Sequence, residues 1–155
     1  MFSSRFKFEE PIREVLKAIW FEYDAVLDSG PIVVGLRFQS KWVFVNAEPN
    51  HDAVFLTNRP KPPFPVANRV NVSNHKYWKH LIGNELSWIR LMMNHPGCSD
   101  YPDGVQFEFL CFNTDETSKL MSVIFIGGCA TLITNKLQSD NGVVNYGERD
   151  FYTPS

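Results

Sequence analysis

One loop of the sequence concentrates side chains that could do chemistry. Between His95 and Gly104 it carries His95, Cys98, Asp100 and Asp103. A histidine near a cysteine can generate a thiolate nucleophile, and imidazole, thiolate and carboxylate groups all bind metals. The same loop holds two prolines, two glycines and a serine, which a tight turn needs for backbone reasons alone. The turn interpretation is favoured, and His95, Cys98 and Asp103 remain candidates for a hydrolase or metal site.

No common catalytic or nucleotide-binding signature accompanies that loop. The patterns GxxxxGK[ST], GxGxxG, GxSxG, HExxH and CxxC are all absent from the sequence. A tetrahedral zinc site also requires two separated ligand pairs, and the loop supplies one. We therefore expect no cofactor and no metal, and the sequence favours a protein that is not an enzyme.

Positive charge is concentrated in the middle of the chain. Residues 59–90 carry six basic and one acidic side chain, whereas residues 1–58 carry six and eight, and residues 91–155 three and eight. Within this basic segment, Arg69, Lys76, Lys79 and Arg90 accompany aromatic residues, a mixture that suits single-stranded nucleic acid. The simpler interpretation is a solvated basic surface, so nucleic-acid binding is the alternative hypothesis.

Negative charge falls in two predicted loops, which contain Asp100, Asp103, Asp115 and Glu116. An acidic edge on a small rigid domain would suit an inhibitor of a basic protein, in the manner of an immunity protein or antitoxin, because complementary charge speeds association. Acidic loops also keep an apolar chain in solution, which explains the charges more simply.

Length and composition limit the type of protein. The chain has 155 residues with 44% hydrophobic residues and a net charge of −2, as expected for one folded domain. No apolar run is long enough for a membrane helix, and the first residues lack the apolar core of a secretory signal. Three cysteines without a CxxC pattern favour a reducing compartment. We expect a cytoplasmic protein with no membrane association.

Two segments have the spacing of amphipathic helices. After Pro11, apolar residues recur at positions i, i+3, i+4 and i+7 up to Ile19, which predicts a first helix. Ser73 is expected to cap a second helix that buries Trp78 and ends at Gly83. The prolines between residues 58 and 72 predict an extended connection before this second helix.

Alternating apolar residues predict seven or eight strands joined mostly by short turns, which favours antiparallel pairing in a meander. The strand-like runs cover residues 19–27, 32–39, 42–48, 53–57, 85–94, 105–112, 120–126 and 130–137. The sequence thus predicts an α+β fold in which two short helices pack on a mainly antiparallel sheet. Residues 1–137 would form a single domain, and residues 138–155 a polar C-terminal tail.

The first functional hypothesis is a non-catalytic module that binds another protein through Asp100, Asp103, Asp115 and Glu116. The second is single-stranded nucleic-acid binding along residues 59–90, and the third is a hydrolase or metal site on the 95–104 loop. An exposed sheet edge would also allow two copies to pair as a homodimer.

Overall fold

The structure is a computed structural model that describes residues 11–25, 30–50, 52–76, 78–92, 102–112, 118–128 and 130–139. The described residues form nine strands: β1 Leu16–Tyr23, β2 Val33–Phe38, β3 Trp42–Ala47, β4 Val54–Thr57, β5 Asn68–Asn71, β6 Glu85–Met92, β7 Gly104–Phe112, β8 Ser118–Gly128 and β9 Thr131–Ser139. All strand pairs are antiparallel.

The strands form two sheets. One has five strands in the order β4-β3-β2-β1-β5, and the other has four in the order β6-β7-β8-β9. Strands β1 to β4 and β6 to β9 are meanders of sequential neighbours. Strand β5 does not pair with its neighbours in sequence, β4 and β6. It pairs with β1, at the edge of the five-stranded sheet opposite β4. The chain from β4 to β5 must therefore cross the five-stranded sheet.

Strand β1 shows how the sequence produces the core. Ile19, Phe21 and Tyr23 are fully buried and alternate with Trp20 and Glu22, because successive side chains of a strand point to opposite faces. The same alternation in other strands brings apolar side chains of both sheets into one hydrophobic cluster. The two sheets thus pack face to face. Trp20 and Glu22 lie on the opposite, outer face of the five-stranded sheet.

The chain leading into β1 ties the two sheets together at one corner. The Arg13 N–H donates to the Leu86 carbonyl at 2.7 Å, and the Leu86 N–H donates to the Glu14 carbonyl at 2.9 Å. This pairing joins the entry to β1 in the five-stranded sheet with the start of β6 in the four-stranded sheet.

The prediction of an α+β fold with two helices is wrong. The described residues contain no helix, and the protein is all-β in this part. In the first predicted helix, residues 11–13 form a turn and Leu16 already begins β1. The Leu16 N–H donates to Asn84 and its carbonyl accepts from Gly83. Pairing with a distant segment therefore replaces the local hydrogen bonds of a helix.

The second predicted helix is a series of turns. The backbone N–H groups of His75, Trp78 and Leu81 each donate to the carbonyl three residues earlier. Ser73 does not cap a helix, because its hydroxyl accepts the backbone N–H of Ile19 in β1 at 3.0 Å. The expected apolar face is nevertheless buried, and Trp78 is 2% exposed.

Eight of the nine strands lie where the sequence predicts them, but the expected single sheet is wrong, because the strands divide into two sheets whose apolar faces bury one another. The antiparallel pairing follows the predicted short connections, but residues 68–71 of the expected connection form β5. Strand β9 extends to Ser139, and the rest of the predicted tail lies outside the described residues. Where the chain is described, no helix has the length and apolar character needed to cross a membrane.

Trp78 anchors the turn segment to the core. Its ring packs edge-on against Phe21 of the five-stranded sheet, with 5.4 Å between ring centroids. It also stacks with Phe125 of the four-stranded sheet, with 6.2 Å between centroids. Trp78→Ala is expected to lower the free energy of unfolding by about 3–5 kcal/mol in denaturant titrations, because it removes a large buried ring. Trp88→Ala is the control, since Trp88 is 51% exposed, and it should change stability by less than about 1 kcal/mol. Equal losses would contradict this packing.

Gly127 of β8 packs directly against the backbone of Ala53, the residue that precedes β4 of the other sheet. Its N–H donates to the Asp103 carbonyl at 3.0 Å, and a Cβ at this position would collide with the backbone of Ala53. Gly127→Ala is expected to lower the melting temperature and cost about 3 kcal/mol, because backbone cannot yield as a side chain can. Gly128→Ala is the matched control, since its Cβ would meet only the end of the Ile133 side chain at 3.2 Å. A stable Gly127→Ala protein would refute the close approach.

Candidate functional site

A groove of about 410 Å³ lies on the outer face of the five-stranded sheet. The connection between β4 and β5 passes over this face and closes one side of the groove with Pro60. The lining combines aromatic rings with three charged side chains: Trp20, Trp42, Phe44, Glu22, Arg37 and Arg69. Rings and charges of both signs therefore meet in one concave site.

The strand register places the aromatic rings. Trp20 of β1 and Phe44 of β3 are the neighbours of Gly35 of β2 on either side. A Cβ at Gly35 would be 2.8 Å from the Phe44 ring, so the missing side chain makes room for that ring. Trp42 lies two residues from Phe44 on the same face, and their rings stack at 5.4 Å. The groove thus has aromatic surfaces on both sides of β2.

Glu22 and Arg69 form an ion pair in the groove. They are directly opposite in the pairing of β1 with β5, and Arg69 donates from Nε at 2.8 Å and Nη2 at 2.7 Å to the same oxygen, Glu22 Oε1. The Glu22 side chain is only 4% exposed, whereas that of Arg69 is 59% exposed. The carboxylate is therefore buried in the sheet, and the guanidinium covers it from the solvent side.

The second oxygen of Glu22 is not satisfied. Oε2 is closed to solvent, and no donor in the described part of the protein reaches it. A buried polar group without a partner costs about 1–3 kcal/mol, and more when it is charged. Arg69 therefore satisfies only one of the two carboxylate oxygens, and the other remains a cost of folding.

The remaining charges around the groove are positive. Arg37 is opposite Trp42 in the register, is exposed, and has no carboxylate partner among the described residues. With Glu22 paired to Arg69, the three charged lining residues sum to +1. Arg59 and Lys61 on the crossing connection are exposed nearby. The groove is therefore suited to an anionic group.

Buried hydrogen bonds fix the connection over the groove. Asn46 lies on the outer face of the five-stranded sheet, and its side chain is fully buried there. Its Oδ1 accepts the Lys61 N–H at 2.7 Å, and its Nδ2 donates to the Thr57 hydroxyl at 2.8 Å. The Thr57 hydroxyl in turn donates to the Arg59 carbonyl. These bonds hold residues 57–61 in place and so set the position of Pro60.

Most of the acidic and catalytic candidates lie outside the described residues: His95, Cys98, Asp100, Asp115 and Glu116. Asp103 is described, in the bend before β7. The acidic binding surface and the hydrolase or metal site therefore stay predictions. Within the described ranges, no three His, Cys, Asp or Glu side chains come together as a set of metal ligands.

The four basic candidates do not share one surface. Arg69 lies on the outer face of the five-stranded sheet, whereas Arg90 lies on the outer face of the other, with its Nε 3.9 Å from Glu108 Oε1. Lys76 and Lys79 are exposed in the turns between β5 and β6. In these turns, burial and then the charge of Lys76 lower the pKa of His75.

Sequence reasoning missed most of the groove. Only Arg69 was a candidate, and its partner Glu22 lies in the predicted strand of residues 19–27 without having been singled out. One signal was available, since a carboxylate between Phe21 and Tyr23 in an apolar strand requires a partner when both faces are covered. The identity of that partner depends on β5, which the sequence pattern did not reveal.

Fold and site together define a two-sheet β-protein with an aromatic and charged groove on the outer face of one sheet. The chain belongs to a family of unknown function, DUF6334, whose model matches residues 1–139. No curated protein and no solved structure matches the chain.

The Glu22–Arg69 ion pair predicts how three variants differ in the free energy of unfolding. Arg69→Ala is expected to lower the free energy of unfolding by about 1–3 kcal/mol, because it leaves the Glu22 carboxylate buried without a donor. Adding Glu22→Gln to that variant should restore part of the loss, since a neutral amide costs less to bury. Arg90→Ala is the control and should cost under about 1 kcal/mol, because Arg90 Nε is 3.9 Å from Glu108 Oε1 and that oxygen also accepts a hydrogen bond from Gln106. Denaturant titrations measure all three, and equal effects of Arg69→Ala and Arg90→Ala would be inconsistent with this pair.

Proposed function

We propose that the protein is a non-catalytic binding protein whose ligand, a flat aromatic group carrying an anionic group, occupies the groove over β2. The observation that carries this proposal is the combination of stacked aromatic rings with Arg37 and the half-satisfied Glu22 in one concave surface. Concave sites with apolar walls and a few convergent polar groups are the usual form of ligand sites.

Each part of the groove contributes a different interaction. The Trp42 and Phe44 rings provide apolar faces on which a flat ring can stack. Arg37 provides a planar, permanently charged donor group for carboxylate, sulfonate or phosphate oxygens. The buried Glu22 carboxylate opposes a second anion at its own end of the groove and so gives the ligand an orientation.

The proposal retains the binding role expected from the sequence but places the binding surface elsewhere. The acidic loops would attract a basic partner, whereas the groove is suited to an anion. Binding of another protein through Asp100, Asp103, Asp115 and Glu116 is a separate hypothesis, for which charge reversal to Lys and measurement of association rates remain the test. A cytoplasmic location is part of the proposal and is supported by the cysteine pattern.

Anilinonaphthalene sulfonate tests the proposal, because it joins flat rings to an anion. Fluorescence titration is expected to show one saturable site, and Arg37→Gln should raise the dissociation constant by about tenfold or more, the value of a charge-assisted hydrogen bond. Trp42→Ala should weaken binding by a similar factor through lost stacking.

The other sheet supplies matched controls. Trp88 and Arg90 are an exposed tryptophan and an exposed arginine on the outer face of β6. Trp88→Ala and Arg90→Gln should leave the dissociation constant within twofold of wild type, with thermal melts confirming that every variant is folded. If Arg37→Gln and Arg90→Gln had the same effect on dye binding, the groove would not be the binding site.

A further inference from the structure

We infer that the groove holds a short stretch of single-stranded nucleic acid, whose bases stack on the aromatic side chains and whose phosphates contact Arg37, Arg59 and Lys61. This inference rests on the proposed function and names the class of its ligand. It starts from the positive charge, which continues from the groove onto the connection that crosses the sheet.

The three cations lie at the two ends of the groove. Arg59 and Lys61 are exposed on either side of Pro60, which lines the groove. Asn46 accepts the Lys61 N–H, and in the register of β2 with β3 it is four positions along the sheet from Arg37. The charged ends are therefore about 13 Å apart along the strands. At a rise of about 3.4 Å per nucleotide in a stacked strand, this distance spans about four nucleotides.

Aromatic rings occupy the interval between the charged ends. The Trp42 and Phe44 rings of β3 are nearly parallel, with 6° between their planes and 5.4 Å between centroids. Trp20 is on the other side of β2, across Gly35. All three rings are partly exposed. Rings placed between cations are the arrangement that binds single strands, because every base has a face that can stack.

The Glu22–Arg69 pair adds a flat surface and no net charge. Arg69 donates from Nε and Nη2 to one carboxylate oxygen, which fixes the plane of its guanidinium, and its side chain is 59% exposed. Unstacked bases pack on guanidinium planes as they do on aromatic rings. Arg69 covers the carboxylate, and the Asn46 side chain is fully buried. The groove thus offers stacking surfaces rather than groups that read base edges, and we expect little base preference.

This arrangement favours a single strand over two related ligands. In a duplex, the neighbouring base pairs cover both faces of each base, so the rings of the groove have no face to contact. A free mononucleotide carries phosphate at one end only and so cannot use both charged ends of the groove. A strand supplies repeated phosphates with exposed bases between them.

Fluorescence anisotropy with a labelled short oligothymidylate tests the inference. Binding is expected at low salt, and the logarithm of the association constant should fall with the logarithm of salt concentration with a slope of about −2, since three phosphate contacts contribute about 0.7 each. Arg37→Gln should weaken binding and make this slope shallower by about 0.7. Trp42→Ala should raise the dissociation constant about tenfold through loss of one stack and leave the slope unchanged. No binding at low salt, or a slope that Arg37→Gln leaves unchanged, would overturn the inference.

Two double variants that remove the same charge locate the strand on the protein. Arg59→Gln with Lys61→Gln should raise the dissociation constant at least about fivefold, whereas Lys76→Gln with Lys79→Gln, in the turns between β5 and β6, should change it by less than about twofold. Thermal melts establish that each variant is folded. An equal or larger effect of the Lys76 and Lys79 changes would place the strand on the turns and so contradict binding over the groove.

Other nucleic acids test the mode of binding without changing the protein. A duplex of the same length and thymidine monophosphate should each bind at least about tenfold more weakly than the single strand, and oligocytidylate should bind within about fivefold of oligothymidylate. Equal binding of duplex and single strand, or a larger base preference, would refute recognition by stacking. DNA and RNA strands present the same phosphates and base faces, so oligouridylate distinguishes these two sources, and any order of the two affinities supports the inference.

The inference and the proposed function fail in different ways. Binding of the dye at the groove without binding of oligonucleotide at low salt would overturn strand recognition and leave the proposed function intact. Absence of both dye and oligonucleotide binding from the folded wild-type protein would overturn both.

Discussion

The path of the chain from β4 to β5 is the constraint on which the site depends. These strands are opposite edges of the five-stranded sheet, about 19 Å apart at the usual strand spacing. The core occupies the inner face, so residues 58–67 cross the outer face, where Asn46 accepts the Lys61 N–H. Four prolines suit such a segment, because it needs no ladder hydrogen bonds. The crossing buries an outer face that would otherwise be exposed.

The crossing also determines the electrostatics of the groove. By bringing β5 beside β1, it places Arg69 opposite Glu22, and the pair forms where the sheet is covered. A carboxylate there without Arg69 would carry the full cost of burial. The family to which the chain belongs has no known function, and a two-sheet fold serves many roles, so the functional argument rests on this site.

The strand predictions that were confirmed and the helix predictions that were wrong differ in one physical respect. Alternation in β1 correctly separated Phe21 from Glu22, because a strand has a side-chain period of two wherever it lies. Helical spacing around Leu16 and Trp78 also identified side chains that are buried, yet both segments are not helical. Short segments gain little from helix formation alone, and here hydrogen bonds that the β1 backbone donates to the Asn84 carbonyl and the Ser73 hydroxyl replace it.

The sequence by itself determined eight of the nine strands, the short antiparallel connections between sequential strands, many of the buried residues and the basic character of residues 59–90. These features depend on neighbours in the chain, so they can be read from a short window. Tertiary structure alone decided the division into two sheets, the position of β5 and the meeting of Trp20, Glu22 and Arg37 with Arg69. Arg69 is 47 residues from Glu22 in sequence, and only the pairing of distant strands, driven by burial of a shared core, brings them together.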